Sequence, residues 1–478
     1  MPPLEDLTEP ERKLRESFEN GEPAKGQSGD AATDEMGNTA LWTADRQVRA
    51  KVISAILLGD VAAVKQPRLR VRGFRVTGCL DLSNAQIDVP VRFESCVFDT
   101  GVTLMESRTR SVLFVDCEMP YLDASGTHVD GQLEVTGSLL NWLGLYQAEV
   151  TGHLELSGAQ FRQPDGTAIN ADYLRVRAAM YTNDCTVMGA VRLPGASIGG
   201  SLVLDGAHLL NPGSWALAAD HLTIGGDLQC RDGFVAAGEI GLASAQIAGR
   251  LFLGGDGEPA HVGPGGPAPA RGPGRITGTV DLRDAKLGGL SDDPRGWPER
   301  IRFNGLRYNE LTPRLPAHRR LEWIARDPAD YQPQPYEELA AGYRRLGEDE
   351  NARHVLLAKQ RARRGNLAAA GKIWGYIQDA TVGYGYRPWL ASLWLLALLA
   401  VGSVYFAVWP AAPAFGTHGQ FSPFTFTLYM IIPVIGQNQS ADWTLNGPQQ
   451  VVLYVLTACA WTLFTAFAAG LTRSVSRS

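Results

Sequence analysis

The sequence predicts a mainly β protein: a β-helix solenoid with helical caps, followed by a C-terminal two-helix transmembrane hairpin. Three observations predict it. First, from about Arg70 to Leu290 a small residue, any residue and a large apolar residue recur, as in Ala85-x-Ile87, Cys96-x-Phe98, Cys117-x-Met119, Ala148-x-Val150 and Ala159-x-Phe161. Neighbouring copies are often 11 residues apart and others 21. Second, a phrase Gly-x-Φ-x-Φ precedes many copies, as in Gly78/Leu80/Leu82, Gly131/Leu133/Val135 and Gly200/Leu202/Leu204. Alternation at period two means strands, and a repeat of about 21 to 22 residues means coils that stack on one another. One coil cannot bury its apolar side alone, so several must stack. Third, Trp389 to Trp409 and Val451 to Leu471 are apolar runs of 21 residues without a charge. At about 1.5 Å per residue each matches the hydrocarbon thickness of a bilayer.

The elements follow in order. Residues 1–40 are rich in Glu, Asp, Gly and Pro and lack apolar periodicity, so they read as a disordered tail. No apolar h-region stands there, and no signal peptide is expected. Residues 41–69 form an N-terminal helical cap. Its helix, Thr43 to Gly59, carries Val48, Val52, Ile53, Ile56 and Leu57 at helical spacing. The solenoid occupies 70–315, with a Gly/Pro/Ala-rich insertion at 254–274 and a last coil or cap from Arg300 to Leu315. Cys96, Cys117 and Cys185 fall in the small inward slot that Ala takes elsewhere, and so read as buried structural thiols.

Residues 316–372 read as a helical hairpin and basic linker. Tyr336-x-x-Leu339-Ala340-x-x-Tyr343 with Ala352, Leu356 and Leu357 resembles one tetratricopeptide unit. It is either a cap on the solenoid or a groove for a protein partner. The basic residues Lys359, Arg361, Arg363 and Arg364 are candidate contacts to anionic lipid. In 373–388, Ile373, Trp374, Ile377 and Tyr384 share a helical face, so an interfacial helix is expected, with Trp374 also touching lipid.

The hairpin, 389–478, sets the topology. Lys359, Arg361, Arg363, Arg364, Lys372 and Arg387 precede the first run, and Arg473 and Arg477 follow the second. The loop 410–450 holds no Lys or Arg. The positive-inside rule therefore places the hairpin in the cell (inner) membrane, with two spans and both termini cytoplasmic. Within the loop, Phe424 to Ile435 is too short to span but long enough for a re-entrant helix. It ends at Pro433 and Gly436, and three amide side chains follow. Gly436, Gln437, Asn438, Gln439 and Asp442 are the candidate pore mouth. Asp442 is the one charge in the loop, and a ring of such residues favours cations.

Four resemblances accompany these residues. The small-x-large phrase resembles the pentapeptide-repeat family, which implies a four-sided coil and no activity. Span, half-helix, polar turn and span are similar to two-span ion-channel pore modules, which implies a homo-oligomer. Thr381-Val382-Gly383-Tyr384-Gly385 spells the selectivity filter of potassium channels, but it precedes the first run instead of following a pore helix. It reads as a glycine-allowed bend. The whole layout resembles actinobacterial proteins labelled membrane-associated oxidoreductase, which implies hydride or electron transfer.

The residues themselves supply no enzyme signature. HExxH, Walker A, GxSxG and the dinucleotide fingerprint do not occur. The eight histidines are isolated, the six cysteines form no CxxC, and no cofactor, metal or catalytic residue is assigned. A net charge of −6 gives no basic field for nucleic acid. The function expected is a membrane-anchored oligomer with a cytoplasmic sensing or docking solenoid and an ion-conducting pore. Its alternatives are a scaffold without a pore and an oxidoreductase.

Overall fold

A computed structural model describes residues 7–26, 42, 44–59, 67–255, 274–385, 389–413, 421–431 and 443–475. The chain divides into two compact units, Met1–Gly342 and Tyr343–Ser478. The helices are α1 (Glu9–Asn20), α2 (Ala50–Leu57), α3 (Ala317–Ile324), α4 (Pro333–Arg345), α5 (Asp349–Gly365), α6 (Ala369–Val382), α7 (Trp389–Val408), α8 (Pro423–Ile431) and α9 (Gly447–Val475).

The first unit is a parallel β-solenoid of about ten turns. The first two coils supply four short strands each and most of the following ones three, and equivalent strands of successive coils pair in register. One column runs Val76, Phe98, Met119, Leu140, Phe161, Val187 and Leu209. Another runs Leu80, Val102, Leu122, Leu143, Ile169 and Val191. These side chains are buried and fill the interior. Stacking of like on like is visible where the Phe93 and Phe114 rings lie 5.4 Å apart at 8°, with the Phe98 ring edge-on to both.

The small slot behaves as its residue types require. Cys96, Cys117, Ser138, Ala159 and Cys185 are all buried. The Cys96 thiol donates to the Val71 and Glu94 carbonyls, and the Ser138 hydroxyl accepts from the Cys117 amide at 2.9 Å. Burial pushes the Cys117 thiol up, and the Cys185 thiol up to about 12. Outside, arginines tie coils together, as in Arg75–Asp99 at 2.7 Å, Arg192–Asp172 at 2.6 Å and Arg231–Asp205 at 3.1 Å. Two corners of each coil turn through left-handed residues. One corner uses Asn84, Glu106, Gly126 and Gln147, and the other Ser95, Asp116 and Gly137.

The N-terminal end of the solenoid differs from expectation. Residues 9–25, expected without structure, form α1 and the strand Ala24–Lys25, which pairs with Leu69–Arg72. Leu14 and Phe18 of α1 are buried. The Glu11 carboxylate accepts from the Thr8 amide, the Arg49 amide and the Arg49 guanidinium. These bonds, with the two buried apolar side chains, tie the segment to the solenoid. The helix expected from Thr43 is also shorter: Gln47–Arg49 is a strand paired with Arg75–Thr77, and only Ala50–Leu57 is helical. Val52, Ile53, Ile56 and Leu57 still face inward. Most of the insertion, 256–273, lies outside the described residues. At the far end Arg300–Arg302 pairs with Thr279–Asp281 and Arg307–Thr312 with Lys286–Asp292, so 300–312 is a last coil. Arg320 of α3 then buries an ion pair with Asp292 at 2.6 Å.

In the second unit, α7 is the one helix among the described residues that is long and apolar enough to cross a membrane. The second apolar run of the sequence lies within α9, which is 29 residues long.

Candidate functional site

The second unit is built around one small residue. Gly402 of α7 faces α8 and α9: a Cβ there would overlap Thr427 Cγ2 and come within 3.2 Å of Leu456. This lets Phe406, Phe426 and Leu456, one from each helix, form a common core. The Phe406 and Phe426 rings meet edge to face at 5.0 Å. Thr427 is buried, and its hydroxyl donates to the Pro423 carbonyl at 2.8 Å within α8. Below this core Ala412–Pro413 pairs antiparallel with Trp443–Thr444. The Gln449 side chain caps α9: its Oε1 accepts from the Asn446 amide at 3.0 Å, and Asn446 Oδ1 accepts from the Gln449 amide at 3.1 Å. The loop thus begins and ends in one anchored ribbon, and α8 packs between the two long helices.

The other faces of these helices are apolar and open. Trp389 is 61% exposed, Val404 65%, Tyr454 69%, and Leu393, Leu396, Val401, Val451 and Trp461 are likewise exposed. In water each such side chain forgoes about 1.5–3 kcal/mol of burial. Trp389 and Trp409 stand at the two ends of the apolar run, about 30 Å apart at helical rise, which suits interfacial aromatic belts.

The segment before α7 is an elbow held by ion pairs and hydrogen bonds. The Asp379 carboxylate of α6 accepts from Arg361 at 3.0 Å and Arg364 at 3.2 Å, both on α5. Burial works against its ionisation, but the two guanidiniums outweigh it and hold the carboxyl below the usual range. Arg364 also lies 3.9 Å over the Tyr376 ring. Trp394 of α7 donates from Nε1 to the Ala380 carbonyl at 2.8 Å. Two of the expected lipid-binding arginines, Arg361 and Arg364, are therefore engaged by Asp379, a residue the sequence reading passed over. Lys359 and Arg363 lie on the same helix, half-buried and exposed respectively. Trp374 lies in α6 but its side chain is outside the described set. Among the described residues of α6, Ile373, Tyr376 and Ile377 are large, apolar and exposed.

The Thr381–Gly385 motif is this elbow's hinge. Gly383 ends α6 in the left-handed region, its amide donating to the Asp379 and Gln378 carbonyls, and Tyr384 follows at φ 53°. That is a helix C-cap and not a row of carbonyls around an ion path. The residues expected at a pore mouth, Gly436, Gln437, Asn438, Gln439 and Asp442, lie outside the described residues. The described part of the expected re-entrant helix is α8, nine residues long.

On the solenoid, two surface grooves of about 550 and 490 Å³ lie on either side of Gln163–Gly166, where one coil bulges outward. The larger is lined by Met105, Tyr121, Asp123, Asn141, Trp142 and Gln163 among others. Neither was visible in the sequence. Among the described residues no group of three or more His, Cys, Asp or Glu is arranged to hold a metal. No protein-family model, curated protein or solved structure matches this chain.

Proposed function

We propose that this chain is a membrane-anchored oligomer in which the second unit enters the bilayer as a span, short helix and second span, and the solenoid is a cytoplasmic sensing or docking domain. One observation carries the reading: three helices pack on Gly402 while their outer faces remain apolar and exposed. A water-soluble unit of this size would turn those side chains inward. Lipid, or further copies of the same unit, satisfies them instead. The charge-free loop and the arginines before α7 support both termini on the cytoplasmic side.

In this reading copies associate around α8, and the polar turn after it lines an ion-conducting pore. Reconstituted full-length protein is then expected to run as a defined oligomer in detergent and to conduct in planar bilayers. Asp442→Asn should lower its preference for cations. A verified monomer, or silent bilayers holding a verified oligomer, would remove the pore and leave the scaffold: a solenoid held at the membrane for a protein partner.

A further inference from the structure

Tyr121 and Trp142 stand one coil apart in the same register, Tyr121 opposite Trp142 across the ladder. Here glycines clear the space beneath them. A Cβ on Gly101 would overlap the Tyr121 ring, and one on Gly144 would lie 2.5 Å from Trp142 Cη2 and 2.7 Å from Asp123 Oδ1. The two rings are 6.4 Å apart with planes inclined at 54°, so they form an open wedge and not a closed stack. Asp123 sits beside the wedge, held by the Ser125 amide at 3.0 Å and hydroxyl at 2.7 Å, both on Oδ1. It is the one charged side chain that lines the groove. Met105, Asn141 and Gln163 complete the wall with a thioether and two amides.

The electrostatics select the ligand. Ring faces are negative through their quadrupoles, Asp123 is negative, and no Lys, Arg or His lines the groove. An anion is repelled, and a neutral apolar group leaves the carboxylate unused. We propose that this groove binds a small organic cation of the quaternary-ammonium or alkylated-amine class, seated in the Tyr121–Trp142 wedge with Asp123 as counter-charge. This deepens the sensing role given to the solenoid. It is measured separately from conduction, so silent bilayers with intact binding would refute the pore alone.

The test uses full-length protein in detergent and isothermal titration with choline. The comparison ligand is its uncharged isostere, in which a quaternary carbon replaces the nitrogen. Choline should bind saturably and at least about 10-fold more tightly than the isostere. Trp142→Leu and Asp123→Asn should each weaken it about 5-fold or more, with melting temperatures unchanged. Gly144→Ala, which places a methyl between Trp142 and Asp123, should do the same. Equal affinity for the isostere, an absence of saturable choline binding, or folded variants that bind choline like the parent would each overturn the proposal. Asp123→Asn is nearly isosteric and keeps the test open if a bulkier change fails to fold.

Discussion

Replacing Glu11 with Gln should detach the N-terminal cap from the solenoid. The Glu11 side chain is 1% exposed and pairs with Arg49 at 2.6 Å. Burial alone would raise its pKa. Hydrogen bonds from the Arg49 side chain, the Thr8 amide and the Arg49 amide outweigh that and lower it from 4.5 to about 2. Such a drop corresponds to about 3 kcal/mol in favour of the docked, ionised cap. A depressed pKa contributes stability that is present above the unfolded value and lost as pH falls through the folded one. The cap should therefore hold firmly above about pH 5 and loosen progressively towards pH 2. Glu11→Gln keeps the shape and removes the charge that pairs with Arg49. It should cost the cap about 2–3 kcal/mol at neutral pH and flatten its pH dependence in this range. Hydrogen exchange of the α1 amides reads this directly, since only the cap need open. At pH 7 exchange in α1 should accelerate about 30- to 150-fold in the variant, while the central coils keep their protection. Parent-like protection in the variant at pH 7, or a parent cap indifferent to pH between 5 and 2, would refute the reasoning.

The remaining predictions concern the two cores and the thiols. Phe114→Ala should destabilise the solenoid by about 3–5 kcal/mol in urea unfolding, because the ring is buried, stacked on Phe93 and met edge-on by Phe98. Gly402→Val should lower the detergent melting temperature of the second unit, an overpacking cost of about 1–3 kcal/mol, since Thr427 and Leu456 already occupy the space. Maleimide should label Cys79 in the folded protein and spare Cys96, Cys117, Cys185 and Cys230 until denaturant is added.

The solenoid was legible because its rule is local and repeated. Small-x-large fixes which residues point inward, and that identified Cys96, Cys117 and Cys185 as core positions without any coordinates. The bend at Gly383 was legible for a similar reason, since a glycine beyond an apolar helical face ends the helix. The N-terminal cap was not. Its helix is highly charged, with Leu14 and Phe18 as inward anchors, and its decisive contact joins Glu11 to Arg49 across 38 positions. The groove was hidden for another physical reason. Gly101 lies beneath Tyr121, twenty positions away, and coils vary from Thr109→Val129 to the longer Val150→Val176. No window of sequence brings glycine, ring and carboxylate together. Asp379 was passed over because a lone acid near basic residues looks like a solvated charge, whereas an α5–α6 turn folds it back onto Arg361 and Arg364.

The central claim is that the apolar outer face of the second unit lies in lipid. Flotation of full-length protein with liposomes, followed by alkaline carbonate washing, tests it most directly. The protein should float with the vesicles and stay with them through carbonate and high salt, because apolar burial and not charge holds it. Release by carbonate, or sedimentation as a folded protein without lipid or detergent, would contradict it.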